Sequence, residues 1–203
     1  MCLDQSLKKE LGSTKNERIN MKKEALKNTI VKVDNIFPNL IGVKSLDLFN
    51  FKIIGKNFKD TFESNIKTTL NGDTLLDEKS INYLNLELTK ILSHLLKPYC
   101  KNFVFNITKI WINKYEKNDY QGAHIHGSDF SFIIYYKGDS NTVFNSPSKN
   151  ILQCFDDAIF DVSYEPNLKQ GDIIVFPSYL EHWVKPNSNT ETVSGNIKII
   201  NKT

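Results

Sequence analysis

Three of the four histidines in this 203-residue chain have surroundings that favour metal binding. His124 and His126 are one residue apart at the entrance of an apolar run, and His182 follows a second apolar run and a Pro-Ser turn. Residues two apart in a strand point to the same side, so we expect the first two imidazoles to face one space. Neutral imidazole is a common ligand of divalent metals, and the three histidines together predict such a site.

The two parts of this pattern differ in specificity. A His-x-His pair also occurs by chance in surface loops, where it binds nothing. The string "QGDIIVFPSYLEHWV" around His182 is more informative, because it combines a polar turn, an apolar strand, a second turn and a histidine in a fixed order. If the strands that carry the two motifs are neighbours, they can share one metal ion.

The fourth histidine, His94, has a different setting. It lies in "LDEKSINYLNLELTKILSHLLKPY", where apolar residues recur at three- and four-residue steps and Pro98 closes the segment, a pattern that predicts an amphipathic helix. Asp77 or Ser80 is the expected N-cap. We expect the helix to lay its apolar face on a sheet and His94 to be structural rather than a ligand.

The chain from Phe103 onward has the pattern of a β protein. Short apolar and β-branched runs alternate with turn residues at regular spacing, which predicts a mainly β sandwich or jelly roll with one or two flanking N-terminal helices. The segment from Val31 predicts one or two earlier strands. Strands are expected at 103–115, 130–136, about 142–144, about 160–164, 172–176, 182–184 and 193–200.

Composition limits the organisation and the setting of the chain. Residues 1–30 are polar and rich in Lys, which predicts a loosely ordered or helical leader before a single domain at 31–203. No segment resembles a signal peptide or approaches the roughly 20 apolar residues of a membrane span. Three cysteines at unrelated spacings argue against a disulfide framework and favour a reducing, cytoplasmic setting.

The charge pattern limits the partners. The net charge of +3 comes from scattered lysines without a basic stripe or a known nucleic-acid motif, so neither a nucleic acid nor a membrane is expected as a partner. Arg18 is the sole arginine. Any site that needs a guanidinium farther along the chain must therefore use another group.

Two long strings resemble one enzyme superfamily. "WINKYEKNDYQGAHIHGSDFSFIIYYKG" and "LKQGDIIVFPSYLEHWVKPNSNTETVSGNI" are similar to the iron(II)- and 2-oxoglutarate-dependent oxygenases, in particular to a group of small, mostly uncharacterised bacterial and phage members. "DNIFPNLIGV" resembles the opening segment of that group, so the resemblance covers about residues 34–200. It implies a double-stranded β-helix whose open end holds Fe(II), with 2-oxoglutarate as cosubstrate, O2 and a further substrate.

The resemblance leaves the ligand set open. The best-known members use His-x-Asp or His-x-Glu with a distant histidine, and here His126 stands where the carboxylate would be. Three alternatives follow: three histidine ligands, two histidines with an open position, or a carboxylate recruited from Asp129. We favour His124, His126 and His182, because strand alternation turns Asp129 away unless the chain bends after His126.

The cosubstrate site also departs from the family. Members usually grip the distal carboxylate of 2-oxoglutarate with an arginine on the last strand, which this chain lacks. Alternation puts four polar residues of that strand on one face, although Lys198 could equally be a solvated surface residue. The candidate residues of the 103–115 strand could instead be part of the core packing. Only one of Tyr135 and Tyr136 can face inward. The candidates are Lys198, Ser194, Thr192, Asn196, Asn113, Tyr115 and Tyr135.

The sequence thus predicts an Fe(II)- and 2-oxoglutarate-dependent dioxygenase, with hydroxylation as the default outcome. One alternative is a cupin-type metal dioxygenase with three histidines and no 2-oxoglutarate, which fits the missing arginine. Another is a jelly-roll module without enzymatic activity. The polar loops at about 57–74 and 139–157 carry no motif that identifies the substrate, and the oligomeric state, a dimer included, stays open.

Overall fold

The computed structural model of the chain describes residues 40–60, 66–70, 74–148, 162–186 and 189–202. The leader expected at 1–30 lies outside these residues, as do Cys2 and Cys154. Cys100 is a half-buried free thiol. No helix of the described part is long and apolar enough to cross a bilayer.

The described residues form antiparallel strands, one long helix and a 3-10 turn at Leu48–Asn50. The mainly β composition predicted from the sequence is confirmed. The elements are β1 (Gly42–Ser45), β2 (Ile53–Lys56), β3 (Lys59–Asp60), β4 (Lys67–Thr68), β5 (Thr74–Leu76), α1 (Glu78–Leu96), β6 (Phe103–Tyr115), β7 (Gln121–His124), β8 (Phe130–Lys137), β9 (Thr142–Asn145), β10 (Ser163–Tyr164), β11 (Asp172–Pro177), β12 (His182–Val184) and β13 (Thr190–Lys202).

Two sheets carry the architecture. The larger sheet has the order β1-β11-β8-β13-β6-β4-β3, and the smaller has the order β10-β9-β12-β7. From β6 onward the chain crosses repeatedly between the two sheets, so that strands of one sheet are interleaved in sequence with strands of the other. This is the double-stranded β-helix, or jelly roll, that the sequence predicted.

Helix α1 begins where the sequence indicated. The Asp77 carboxylate caps it by accepting a hydrogen bond from the Ser80 backbone N–H at 2.8 Å. The helix crosses close to β1, because a Cβ built on Gly42 would lie 2.4 Å from Cγ2 of Ile91. Its apolar face shares one core with the outer side of the larger sheet, formed among others by Leu84, Leu88, Leu92, Phe132, Ile134, Ile173, Val175 and Val193.

A second core fills the space between the two sheets. It contains Ile133 and Tyr135 of β8 with Phe144 and Phe176. Strand β8 is thus buried on both faces, which explains its uninterrupted apolar sequence. Alternation also decides between the two tyrosines: Tyr135 points between the sheets, whereas Tyr136 packs against Phe51 with ring centroids 6.1 Å apart.

The structure adds strands that the sequence did not predict: the short β3, β4 and β5, which fall in or next to the expected 57–74 loop, and β7 at the first histidine pair. Strand β7 was absent from the predicted set, because "QGAH" has no β-branched or aromatic residue. It forms a strand through pairing with β12. It ends at His124, so His126 lies in the following loop rather than in a strand.

Candidate metal centre

Three imidazoles meet at one end of the smaller sheet. His124 is the last residue of β7 and lies directly opposite His182, the first residue of β12. His126 reaches the same space from the loop that follows β7. Each ring offers one nitrogen, and these three nitrogens lie within 4.8 Å of one another.

Backbone carbonyls orient two of the rings. Nδ1 of His124 lies 2.8 Å from the Gly122 carbonyl oxygen, and Nδ1 of His182 lies 3.0 Å from that of Leu180. A carbonyl can only accept, so each Nδ1 carries the proton and each Nε2 keeps its lone pair. Both histidines therefore present Nε2 as the metal-binding atom.

Hydrogen bonds between two loops hold His126. Its backbone N–H donates to the Ser178 carbonyl at 2.9 Å, and the Ser178 N–H donates to the Asp129 carbonyl at 3.1 Å. The imidazole packs against the Trp111 indole, with ring centroids 5.3 Å apart. These contacts place the ring beside the other two although no strand carries it.

Burial keeps the three imidazoles neutral. Desolvation lowers the pKa of His126 to about 4 and that of His182 to about 3, and the proximity of His124 adds to both effects. Burial also lowers the pKa of His124. At neutral pH all three rings therefore offer lone pairs without first losing a proton. Three convergent neutral nitrogens fit a divalent transition-metal ion such as Fe(II).

The Asp129 carboxylate points elsewhere. Its Oδ1 lies 3.0 Å from Nζ of Lys198, and its Oδ2 accepts a hydrogen bond from the Ile199 backbone N–H at 2.7 Å. Within the described ranges, the metal-ligand cluster consists of the three histidines and contains no carboxylate. The chain does bend between His126 and β8, but the bend turns Asp129 towards β13.

A cavity leads from the histidines into the space between the sheets. Asn113, Tyr115, Tyr135, Thr192 and Ser194, all candidates from the sequence, line this cavity. It also contains residues that the sequence did not indicate, namely Gln121, Asn141, Thr142 and Thr190.

Two sequence candidates lie outside the cavity. Lys198 has a side chain 58% exposed and pairs with Asp129 on the surface. Asn196 accepts a hydrogen bond from the Ser131 hydroxyl at 3.1 Å. Alternation along β13 places both on the same side as Ser194, but the cavity reaches only the first half of that strand.

The cavity wall carries no permanent positive charge in the described part of the chain. Besides the histidines, its titratable groups are the phenols of Tyr115 and Tyr135, and burial raises the pKa of both. Both phenols are therefore neutral hydroxyls at physiological pH. A ligand in this cavity meets hydroxyl and amide groups rather than a lysine or an arginine.

Gln121 is the neighbour of the metal centre that sequence reasoning missed. It lies three residues before His124, so simple strand alternation would put the two side chains on opposite faces. The pairing of β7 with β12 is irregular at this point, because His182 pairs with His124 while Val184 pairs with Gln121. This bulge turns Gln121 towards His124, and no local sequence signal reveals it.

Comparison with known proteins identifies the type of site. Residues 109–194 match the model of a family described as putative 2OG-Fe(II) oxygenases. No curated protein matches the chain. The matched segment contains all three histidines and the cavity-lining half of β13.

Solved structures show distant similarity. An oxidoreductase of the 2OG-Fe(II) oxygenase family from Burkholderia pseudomallei is 14% identical, with a TM-score of 0.48 over 73% of this chain and 74% of that chain. A prolyl-4-hydroxylase from Pseudomonas putida is 13% identical, with a TM-score of 0.46 over 71% and 78%. A viral collagen prolyl hydroxylase from Paramecium bursaria Chlorella virus-1 is 12% identical, with a TM-score of 0.44 over 68% and 81%.

The fold and the site together define a jelly-roll protein with three histidines that could hold one metal ion. The family match is more specific: the segment 109–194, which carries the three histidines, is similar to the 2OG-Fe(II) oxygenases, in agreement with the resemblance in sequence. Enzymes of this family use iron(II) as cofactor and 2-oxoglutarate as cosubstrate.

Proposed function

We propose that the chain is an Fe(II)- and 2-oxoglutarate-dependent hydroxylase whose metal is held by Nε2 of His124 and His182 and by the imidazole of His126. The observation that carries the proposal is the convergence of three neutral imidazoles within the segment that matches the oxygenase family. O2 and a second, unidentified substrate complete the reaction.

The bound iron supplies the oxidative decarboxylation of 2-oxoglutarate to succinate and carbon dioxide, coupled to oxidation of the second substrate. The three imidazoles would hold the metal without adding negative charge. A site with a carboxylate in place of His126 would carry one negative charge more. With three neutral ligands, the metal would therefore attract an anionic cosubstrate more strongly than it would in a site with a carboxylate ligand.

The polar wall of the cavity would receive the distal carboxylate of 2-oxoglutarate. Thr192 and Ser194 are each 5% exposed, and both line the cavity. Both can therefore donate to a ligand. Hydrogen bonds from neutral hydroxyls replace the bidentate grip of an arginine, so we expect weaker binding of the distal carboxylate.

A second candidate function is favoured by one observation. Because the described cavity wall holds no lysine or arginine, a three-histidine dioxygenase that uses no 2-oxo acid would also suit it. Such an enzyme would bind iron at the same histidines and oxidise its substrate directly.

Anaerobic titration separates these functions. Iron(II) is added first and 2-oxoglutarate second, and the visible charge-transfer band of the chelated complex is recorded. Oxygen is then admitted and succinate is measured. The band followed by succinate supports the proposal, and iron binding without a band supports the direct dioxygenase. Absence of iron binding would overturn both and leave a non-enzymatic jelly-roll module.

A further inference from the structure

We propose that Gln121 is a ligand-binding residue of the metal centre, whose side-chain amide donates a hydrogen bond to an oxygen or anionic ligand bound to the metal beside His124. The inference rests on the proposed histidine ligand set. Gln121 would thereby favour metal ligands that can accept a hydrogen bond.

The side-chain amide of Gln121 lies between Tyr115 and His124. Nε2 of Gln121 lies 3.4 Å from Nε2 of His124, the atom that keeps its lone pair. Oε1 of Gln121 accepts a hydrogen bond from the Tyr115 hydroxyl at 2.8 Å. The amide thus bridges the cavity wall and the metal-binding face of the imidazole.

The Tyr115 hydroxyl fixes the orientation of that amide. Burial keeps Tyr115 protonated by raising its pKa, so the phenol donates to Oε1 of Gln121. Since the amide oxygen of Gln121 accepts from Tyr115, its NH2 group is the end that faces His124.

Metal binding removes the acceptor of this NH2 group. The Nε2 lone pair of His124 cannot both coordinate a metal and accept a hydrogen bond. Once a metal occupies that lone pair, the Gln121 NH2 needs another acceptor, and a ligand bound beside His124 would supply one. A partly buried N–H donor without a hydrogen-bond partner costs free energy. A hydrogen bond to an anion is also stronger than one to a neutral group. A carboxylate, a 2-oxo oxygen or a small anion at that position restores the bond.

The experiment compares metal binding with ligand binding. Gln121→Leu removes the donor and keeps much of the side-chain volume. In the full-length protein, Co(II) is titrated alone, azide is titrated into the Co(II) form, and 2-oxoglutarate is titrated anaerobically into the Fe(II) form. We expect the Kd for Co(II) to stay the same and the Kd values for azide and 2-oxoglutarate to rise about 10- to 100-fold.

Two further variants sharpen the test. Gln121→Glu replaces the donor by a carboxylate, so it should bind Co(II) more tightly and azide more weakly. The matched control is Gln170→Leu, because Gln170 lies in an exposed turn where its side chain accepts a hydrogen bond from the Gly138 N–H at 3.3 Å. This control should change none of the three affinities.

The outcomes separate the inference from the proposed function. Unchanged azide and 2-oxoglutarate affinities in Gln121→Leu overturn the inference, as does loss of Co(II) binding in parallel with them, which would mark a structural role. If the unsubstituted protein gives no charge-transfer band with 2-oxoglutarate but azide binding still depends on Gln121, the proposed function fails and the inference stands.

Discussion

His124 and His182 face each other across two neighbouring strands, with ring centroids 4.3 Å apart, and each binds through Nδ1 the carbonyl two residues before it. The register of β7 with β12 therefore sets the distance between the rings, while the backbone sets which nitrogen each ring presents. Two ligands of the proposed site are thus preorganised before a metal arrives.

Removal of a single imidazole should abolish tight metal binding. We expect His124→Ala and His182→Ala to weaken Co(II) binding by more than about 100-fold, beyond the loss typical of outer-shell substitutions. Isothermal titration measures the affinity. His94→Ala is the control, because His94 is exposed on α1 and its Nδ1 contacts the Lys90 carbonyl at 2.9 Å.

His126→Ala tests the three-histidine site itself. We expect the same loss as for His124→Ala, because its ring nitrogen belongs to the same cluster. Full metal affinity in this variant would leave a site of two histidines with an open position. Recovery of affinity in His126→Asp would show that the position accepts the carboxylate found in the best-known relatives.

Binding of the distal carboxylate of 2-oxoglutarate should depend on hydroxyl groups of β13 rather than on the surface cation Lys198. Thr192→Val and Ser194→Ala should each raise the Kd for 2-oxoglutarate by about tenfold, since each loses one hydrogen bond to a charged group. Pyruvate, which has no distal carboxylate, should bind both variants as it binds the unsubstituted protein. An affinity that falls in Lys198→Ala instead would favour the cation as the binding group.

Acid should destabilise the metal-free protein through its buried histidines. The folded-state pKa values of His126 and His182, about 4 and about 3, lie below the ordinary value of 6.5. Near pH 6.5 the histidines of the unfolded chain therefore bind protons, whereas those of the folded chain stay neutral. The free energy of unfolding is thus highest above that pH and falls as the pH drops towards 4. Urea unfolding at pH 7 and pH 5 measures the difference, and His182→Asn should reduce it.

Gly195 is required by the packing of the larger sheet. A Cβ at this position would lie 2.4 Å from Cζ of Phe132 and 2.7 Å from the Lys109 carbonyl oxygen. Gly195→Ala should lower the free energy of unfolding by about 1–3 kcal/mol or more, because the ring and the neighbouring strand must both shift. Gly127→Ala is the control, since a Cβ there meets nothing within 4 Å. Equal stability of the two variants in urea would contradict this packing argument.

The features that sequence predicted best are those with strong local patterns. The helix was marked by its apolar period and by Asp77, and β6 and β8 by long apolar runs. The approach of His182 to His124 could be predicted because the string around His182 is specific, although the His-x-His pair alone is a weak signal. These signals depend on neighbours in the sequence, and tertiary contacts did not override them.

The features that escaped prediction depend on contacts between distant segments. Strand β7 has no strand-like composition and exists through its pairing with β12. The bulge that turns Gln121 towards His124 is a property of that pairing. Lys198 lies on the same side of β13 as the residues that line the cavity. Only the structure shows that the cavity ends before Lys198 and that this lysine pairs with Asp129.

The paired backbone hydrogen bonds at Ser178 have a consequence for motion. They join the loop that carries His126 to the turn that precedes His182, so local unfolding of one segment breaks the bonds that hold the other. The metal centre should therefore open as one cooperative unit. The His126 and Ser178 amides should show hydrogen exchange with the same opening free energy, and release of the metal should follow that opening rather than the motion of a single side chain.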